Sequence, residues 1–546
     1  MPKPTRYIFV MGGVLSGLGK GIAVSSIARE LQGLGYRVSA MKIDPYVNVD
    51  AGTMNPTEHG EVFVTKDGLE TDQDIGNYER FLQVELTRDS YMTTGQVYLS
   101  VIRRERNLEY HGKTVRPVPD IPAEVIRRIK RAAQVTKAEL MIIEIGGTVG
   151  EYENLLFLEA ARMMHLQDST AVQFILVSYL PIPSKLGEMK TKPTQHAVRA
   201  LNAAGIHPDF VLCRGERSID QPRRERISVF CNVHPDDVIS APDVDSVYQV
   251  PINFEREQLG QKILGKFFLK PRRRDLRDWR RLLQRVQRLR RSVRIGMVGK
   301  YFTTGEFTLS DSYLSVIESI KHASWQAGCT PNISWIDAES FERDRRLLRT
   351  LERFDGIIVP GGFGVRGVNG KIAAIEYVRR QRIPYFGLCY GLQLAVVEFA
   401  RHVLKLSRAH TTEIDAKTPY PVIDMLPEQR AKLVARDFGG TMRLGEFRCR
   451  LRAGTRALDA YGRRDIRERH RHRYEVNNRY RTALERKGLR VAGFNPERDL
   501  VEIMELQNHP FFLGVQFHPE FKSYPLAPHP LFASFITAAL HRQRRR

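Results

Sequence analysis

The sequence predicts an α/β protein of two domains, each built on a mainly parallel sheet, and three observations carry that expectation. Short apolar runs at 7–11, 38–43, 140–145, 172–179 and 210–213 alternate with helical patterns, and the alternation returns at 293–298, 357–359 and 385–388. The 546 residues exceed what one hydrophobic core supports, at about 150 residues per domain. Between the two series, residues 271–294 hold eleven arginines against only Asp275 and Asp278. Leu276, Trp279, Leu282, Leu283, Val286 and Leu289 recur there three and four residues apart, as on one helix face. The expected organisation is a first domain over 1–270, a basic amphipathic linker helix over 271–294 and a second domain over 295–546.

Composition narrows the class of function. Hydrophobic residues make up 42% and charged residues 27%, the balance of a soluble globular chain. No apolar stretch approaches the ~20 residues that span a bilayer, and the N-terminal apolar run is too short for a signal peptide. A cytoplasmic protein with no membrane partner is expected. The net charge of +23 would attract nucleic acid, anionic membrane or phosphorylated small molecules, and charge alone does not choose among them. Because a charge run is usually a solvated face, no specific nucleic-acid partner is expected. Five scattered cysteines without a C-x-x-C pair exclude a disulfide framework and a structural zinc site.

The first run, 7–11, leads into Gly12-Gly-Val-Leu-Ser-Gly-Leu-Gly-Lys-Gly21 and then a helical pattern. Strand, glycine-rich turn and helix N-terminus form an anion cradle, in which Lys20 supplies a point charge for phosphate oxygens. Gly13 comes one residue early for a standard phosphate loop, and Gly21 replaces the usual metal-binding hydroxyl. A metal would then lean on carboxylates, for which Asp74 and Glu144 stand out as hard oxygen ligands suited to Mg²⁺. A second basic cluster, Lys190, Thr191, Lys192, Pro193, Thr194 and Gln195, could hold a triphosphate or be a plain exposed loop.

In the second series, the run 385–388 leads into Cys389, with Gly391 next but one and a helical pattern after it. Small residues around a nucleophile permit the tight strand-to-helix turn that exposes the sulfur at a helix N-terminus, a setting that favours thiolate. Val515-Gln-Phe-His-Pro-Glu520 supplies His518, and Glu520 two residues on could orient its imidazole. Pro360-Gly-Gly-Phe-Gly364 and the Tyr390 N–H offer donors for an oxyanion. Cys213, Cys231, Cys329 and Cys449 lack such a setting and are expected to be inert.

These motifs resemble a known family. The C-terminal half is similar to class I glutamine amidotransferase domains, with Cys389, His518 and Glu520 in the expected order. From about Tyr7 to Leu540 the chain resembles the CTP synthases, in Gly12 to Gly21, Asp44-Pro-Tyr-Val-Asn-Val-Asp50, His59-Gly-Glu-Val-Phe-Val64, Glu144-Ile-Gly-Gly-Thr-Val-Gly150, Lys190 to Gln195, Gly439-Gly-Thr-Met-Arg-Leu-Gly445 and Glu468-Arg-His-Arg-His-Arg-Tyr-Glu-Val-Asn-Asn478. The resemblance implies an N-terminal P-loop sheet like that of dethiobiotin synthetase and a C-terminal flavodoxin-like amidotransferase sheet. It implies ATP on Gly17, Leu18, Gly19, Lys20, Gly21, Ile22 and Asp74, with Asp243 and Val244 toward the adenine. Mg²⁺ is implied on Asp74 and Glu144. UTP or CTP is implied on Ser16, Lys190, Thr191, Lys192, Pro193, Thr194, Gln195 and Arg226, with Glu151, Tyr152 and Glu153 in the pocket taken by the base and ribose of CTP. Glutamine is implied on Gly362, Tyr390, Gly391, Leu392, Gln393, Glu413 and Arg473.

The activity so implied is ATP-dependent amination of UTP to CTP through a 4-phosphorylated intermediate, with ammonia from L-glutamine, GTP as activator and a homotetrameric assembly. The pyrimidine pocket departs from the family pattern. Arg116-Pro-Val-Pro-Asp-Ile-Pro122 replaces Gln-Val-Ile-Pro-His-Ile-Thr, Glu151-Tyr-Glu153 replaces Asp-Ile-Glu, Arg226 replaces a lysine, and Pro242 replaces the lysine before Asp243. These changes keep open a paralogous amidoligase for another nucleotide or nucleoside analogue. A non-catalytic nucleic-acid-binding protein is the other alternative, disfavoured by the intact nucleophile set.

Overall fold

The computed structural model describes residues 4–55, 59–185, 187–299, 303–304, 307–308, 310–362, 364–425 and 442–545. Phe363 and the first three residues of the 439–445 motif lie outside them. Two compact units emerge. One comprises 1–53 and 74–283, the other 54–73 and 284–546.

The first unit is built on seven parallel strands in the order Tyr91–Thr93, Val38–Asp44, Leu140–Ile145, Arg6–Gly12, Val172–Tyr179, Phe210–Gly215, Val238–Pro242. These strands are buried almost throughout, as a parallel sheet covered by helices on both faces requires. Arg6–Gly12 is central, so the glycine-rich turn leaves the carboxyl end of the sheet, where open α/β sheets bind ligands. The arginine-rich stretch forms the helix Arg277–Arg288, within the expected 271–294. Its apolar face docks on the first unit through Trp279, whose indole donates to the Tyr248 carbonyl at 2.6 Å and packs on Phe81. The boundary between the compact units falls inside this helix, at 283/284, and both chain segments around it differ from a plain two-way split because 54–73 joins the second unit.

The second unit carries a nine-stranded mixed sheet. Thr330–Asp337, Ser292–Gly299, Gly356–Val359, Tyr385–Leu388 and Phe512–Val515 run parallel. Leu500–Leu506, Leu489–Asn495, Arg443–Leu451 and Asp465–His472 then continue it with antiparallel neighbours. This second sheet is thus parallel in one half only, because its later strands are joined by short turns such as 507–511 rather than by crossover helices.

Candidate active site

Gly17 and Gly19 both take positive φ, at 72° and 77°, which bends the chain into the helix Lys20–Gly33. No side chain caps that helix, so its first N–H groups face the turn. The Lys20 ammonium donates to the Gly147 carbonyl at 2.9 Å, which places 146–150 beside the cradle. A Cβ on Gly13 would meet the Ala197 Cβ at 2.4 Å, so the turn packs on the helix Lys192–Ala203 and lies near Thr191 to Gln195. Thr194 there receives the Ser178 hydroxyl at 2.8 Å, and Gln195 donates to Thr191 at 3.1 Å, while its Oε1 is buried without a hydrogen-bond partner.

The two nominated metal ligands stand together. Lys42 Nζ lies 2.5 Å from Asp74 and 2.7 Å from Glu144, and 3.8 Å from Asp44. The Glu144 carboxylate also accepts from the Tyr78 hydroxyl. Burial holds Glu144 above the usual carboxylate range, against the pull of Lys42. For Asp74 burial works the same way, but the Lys42 ammonium outweighs it and the carboxyl is held low. Burial also pulls the Lys20 ammonium down. Among the described residues no group of three or more His, Cys, Asp or Glu forms a ready metal cage. Two hard carboxylates facing a phosphate cradle instead fit Mg²⁺, which completes its shell with water and substrate phosphates. Lys42 escaped the sequence reading because it sits inside the apolar run 38–43; an ammonium in a buried strand was the available signal.

Beside the turn, Gly19, Ile22, Leu212, Arg214, Pro242 and Phe254 line a small, mainly apolar cavity. Arg214 pairs with Asp243 at 2.7 Å on its rim, and was not singled out in the sequence. Arg226 is exposed on the helix Gln221–Cys231; Arg223 of that helix is the residue that reaches Glu188, itself paired with Lys190. Glu151 turns back to accept from the Thr148 N–H at 2.7 Å, Tyr152 is 90% exposed, and Glu153 is exposed.

In the second unit, Cys389 sits at φ 48°, ψ −96°, a strained conformation between the strand Tyr385–Leu388 and the helix Tyr390–His402. The glycines around it are required by contact. A Cβ on Gly391 would lie 2.2 Å from the Val359 carbonyl oxygen, and one on Gly361 would lie 2.9 Å from His518 Cε1. His518 Nδ1 is 2.7 Å from Glu520 Oε1, and its backbone N–H donates to the Arg469 carbonyl at 2.8 Å. Burial works to lower the His518 pKa, but the Glu520 carboxylate and the Cys389 sulfur outweigh it and raise it to about 10. The buried thiols of Cys213, Cys231, Cys329 and Cys449 are pushed up by burial, which keeps them protonated and unreactive.

Several of the remaining nominated residues are linked to one another by hydrogen bonds. The Tyr390 hydroxyl donates to the Gly364 carbonyl at 3.2 Å, the Gly364 N–H donates to Glu413 at 3.0 Å, and Gln393 donates to the Tyr474 carbonyl at 2.8 Å, next to Arg473. Gly362 has open space where a side chain would be, and Leu392 packs against Gly514. Gln516, fully buried, brings its amide to 3.9 Å from the Cys389 sulfur. Behind lies a buried polar network absent from the sequence reading: Arg443 with Glu502 at 2.6 Å and Glu475 at 3.4 Å, and His470 with Glu502 at 2.7 Å. A thiol with this imidazole–carboxylate pair can attack an amide carbonyl and hand a proton to the departing nitrogen.

A nucleotide cradle on one sheet and an amide-cleaving cysteine elbow on the other define a ligase joined to a glutamine amidotransferase. The family models agree: "CTP synthase N-terminus" matches residues 6–269 and "Glutamine amidotransferase class-I" matches 308–538. The chain is 48% identical over 537 residues to a CTP synthase of Caldanaerobacter subterraneus subsp. tengcongensis, covering 98% of each chain. It is 47% identical over 537 residues to a CTP synthase of Geobacillus kaustophilus, covering 98% of this chain and 99% of that one. A solved Trypanosoma brucei glutaminase domain with bound acivicin aligns at 36% identity and TM-score 0.43, over 46% of this chain and 94% of that one. The chain belongs to the CTP synthase family.

Proposed function

We propose that this chain aminates UTP to CTP, using ATP and ammonia cut from L-glutamine. The observation that carries the reading is the His518–Glu520 pair at a strained, buried Cys389, in a chain whose other unit presents the Gly12 to Gly21 cradle. Cys389 attacks the glutamine side-chain amide, His518 passes a proton to the departing ammonia, and Glu520 holds the imidazole in orientation. The oxyanion is met by the Tyr390 N–H and the Gly362 backbone, Glu413 faces the α-ammonium, and Arg473 clamps the α-carboxylate. Gly391, Leu392 and Gln393 complete that pocket.

In the first unit, Gly17 to Ile22 hold the ATP phosphates and Asp243 and Val244 the adenine side. Ser16, Lys190 to Gln195 and Arg226 hold the UTP triphosphate. Asp74 and Glu144 would hold Mg²⁺, which supplies charge neutralisation on the phosphates when bound. Lys20 balances charge as the γ-phosphoryl group moves to the uracil 4-oxygen, turning it into a leaving group that ammonia displaces. We include GTP activation, tetrameric assembly and a cytoplasmic location in the same reading; among the described residues no helix is long and apolar enough to cross a membrane.

The test separates the half-reactions. Cys389→Ala should abolish glutamine-dependent CTP formation while added ammonia still supports it. Loss of both, or survival of the glutamine route, would reject the assignment of roles.

A further inference from the structure

Residues 54–73 come from the N-terminal half of the chain yet belong to the second unit, and their contacts converge on the glutaminase centre. Phe63–Val64 and Glu70–Thr71 pair as an antiparallel hairpin. The Phe63 ring lies 4.8 Å from Phe521, and Phe521 stacks on the His518 imidazole at 5.1 Å with the planes 15° apart. Phe63 is buried to 1% exposure, so this stack is a fixed wall behind the imidazole.

The strand Asp465–His472 forms the second link. Its Arg469 and Arg471 carbonyls face the catalytic pair: Arg469 accepts from the His518 N–H at 2.8 Å, and the Arg471 oxygen lies 3.9 Å from the Cys389 sulfur. The side chains of the same two residues grip the hairpin. Arg469 donates to the Val64 carbonyl at 3.1 Å and lies over the Phe63 ring, while Arg471 pairs with Glu70 at 2.7 Å. Further anchors hold the segment in place. Glu61 accepts from the Ser315 backbone and hydroxyl, the Glu446 N–H donates to the Lys66 carbonyl at 3.0 Å, and Gly68 abuts Gly445 too closely for any side chain. Through these contacts Phe63 and Glu70 reach the catalytic residues by way of Phe521 and Arg471.

We propose that the hairpin 63–71 is a positioning element of the glutaminase, setting the His518 ring through the tilted Phe63–Phe521 ring contact and the Arg471 backbone beside Cys389 through the Glu70–Arg471 pair. This rests on the glutaminase reading of Cys389. Three residues after Glu70 the chain passes through Gln73 to Asp74 in the phosphate site, so the element that shapes the glutaminase is covalently continuous with the nucleotide-binding unit.

The test uses the full-length protein with Phe63→Leu, Phe63→Tyr and Glu70→Gln, assayed with glutamine and separately with ammonia. Phe63→Leu should lower glutamine-dependent kcat by about tenfold, with KM for glutamine and the ammonia-dependent rate held within about twofold, since an aromatic pair is lost but no substrate contact. Phe63→Tyr keeps the ring and should recover most of the loss. Glu70→Gln should slow alkylation of Cys389 by iodoacetamide by about threefold or more, as the charge-assisted grip on Arg471 weakens. Equal loss on both routes, no loss on either, or failure of the tyrosine variant to rescue would overturn the proposal. Should Phe63→Leu not fold, the alkylation rate of Glu70→Gln decides. Survival of glutamine use in Cys389→Ala would instead reject the glutaminase reading itself.

Discussion

The Asp74 carboxylate occupies the space that a side chain on residue 21 would take: a Cβ on Gly21 would lie 1.9 Å from Asp74 Oδ1. The glycine at the place of the usual metal-binding hydroxyl is therefore matched by a carboxylate arriving from the helix Asp74–Leu82. Gly21→Ala should force Asp74 away and disturb Lys42, its 2.5 Å partner. Overpacking of this kind costs about 1–3 kcal/mol, so a lowered Tm and a loss of at least about tenfold in ammonia-dependent synthesis are expected. Gly21→Ser should fail as well, since its hydroxyl cannot enter without the same clash. Wild-type rates in either variant would show that Asp74 is not needed where it stands.

Lys20→Ala tests the cradle from the opposite side to Cys389→Ala. The Lys20 ammonium is buried against the Gly147 carbonyl and sits in the field of Glu144 and Asp74. Removing a charge that stabilises the transferring phosphoryl group typically costs about 3–4 kcal/mol, or about 10²–10³ in rate. Both the ammonia and the glutamine routes to CTP should fall together. A selective loss of one would remove this lysine from phosphoryl transfer.

The alkaline behaviour of the glutaminase follows from His518. Its pKa is raised to about 10 from an ordinary 6.5, with burial opposing and Glu520 and Cys389 prevailing. A raised basic group contributes stability that is fully present below its unfolded pKa and is lost as pH rises through the folded value. The stabilisation should therefore fade between about 6.5 and 10, and the proton-donating imidazolium should persist across that window. In Glu520→Gln the carboxylate that raises the pKa is gone, so the alkaline limb of glutamine hydrolysis should move toward neutral pH. A pH–rate profile read together with thermal melts checks both signs, and an unmoved limb would mean that another group sets it.

The glycine-punctuated parts of this fold were legible in the sequence. The Gly12 to Gly21 turn, the Cys389 elbow and the apolar strand runs are local patterns, and a local pattern survives without knowledge of tertiary structure. What escaped depends on distant packing. Residues 54–73 read as part of the first domain because their chain neighbours lie there, yet Glu61, Phe63 and Glu70 find their partners in residues 315, 521 and 471. In the family-like motif that begins at Glu468, Arg469 and His470 are fully buried among partners distant in sequence. Arg469 is balanced by backbone carbonyls such as that of Val64, and His470 by Glu502. Lys42 was hidden by the opposite disguise, one ammonium inside an apolar strand.

The last prediction is that this enzyme is less sensitive to inhibition by CTP than relatives carrying Asp-Ile-Glu at 151–153. By family resemblance, CTP shares the triphosphate site with UTP while its ribose and base turn toward that segment. Here Glu151 carries its carboxylate one methylene further out and spends it on the Thr148 N–H of its own loop. Tyr152, 90% exposed, projects a phenol where a compact branched chain is usual. An acceptor withdrawn from a ligand forfeits about 0.5–1.5 kcal/mol, up to about tenfold in affinity. On the proposed assignment of its phosphates to Lys190 and Lys192 rather than to this loop, UTP should be affected less. Titrating CTP against the ammonia-dependent reaction at fixed UTP measures the effect free of the glutaminase. The double change Glu151→Asp, Tyr152→Ile should lower the inhibitory CTP concentration by about tenfold while leaving KM for UTP within about twofold. Strong inhibition of the natural chain, or no gain in the double variant, would place the control of feedback elsewhere in the pocket.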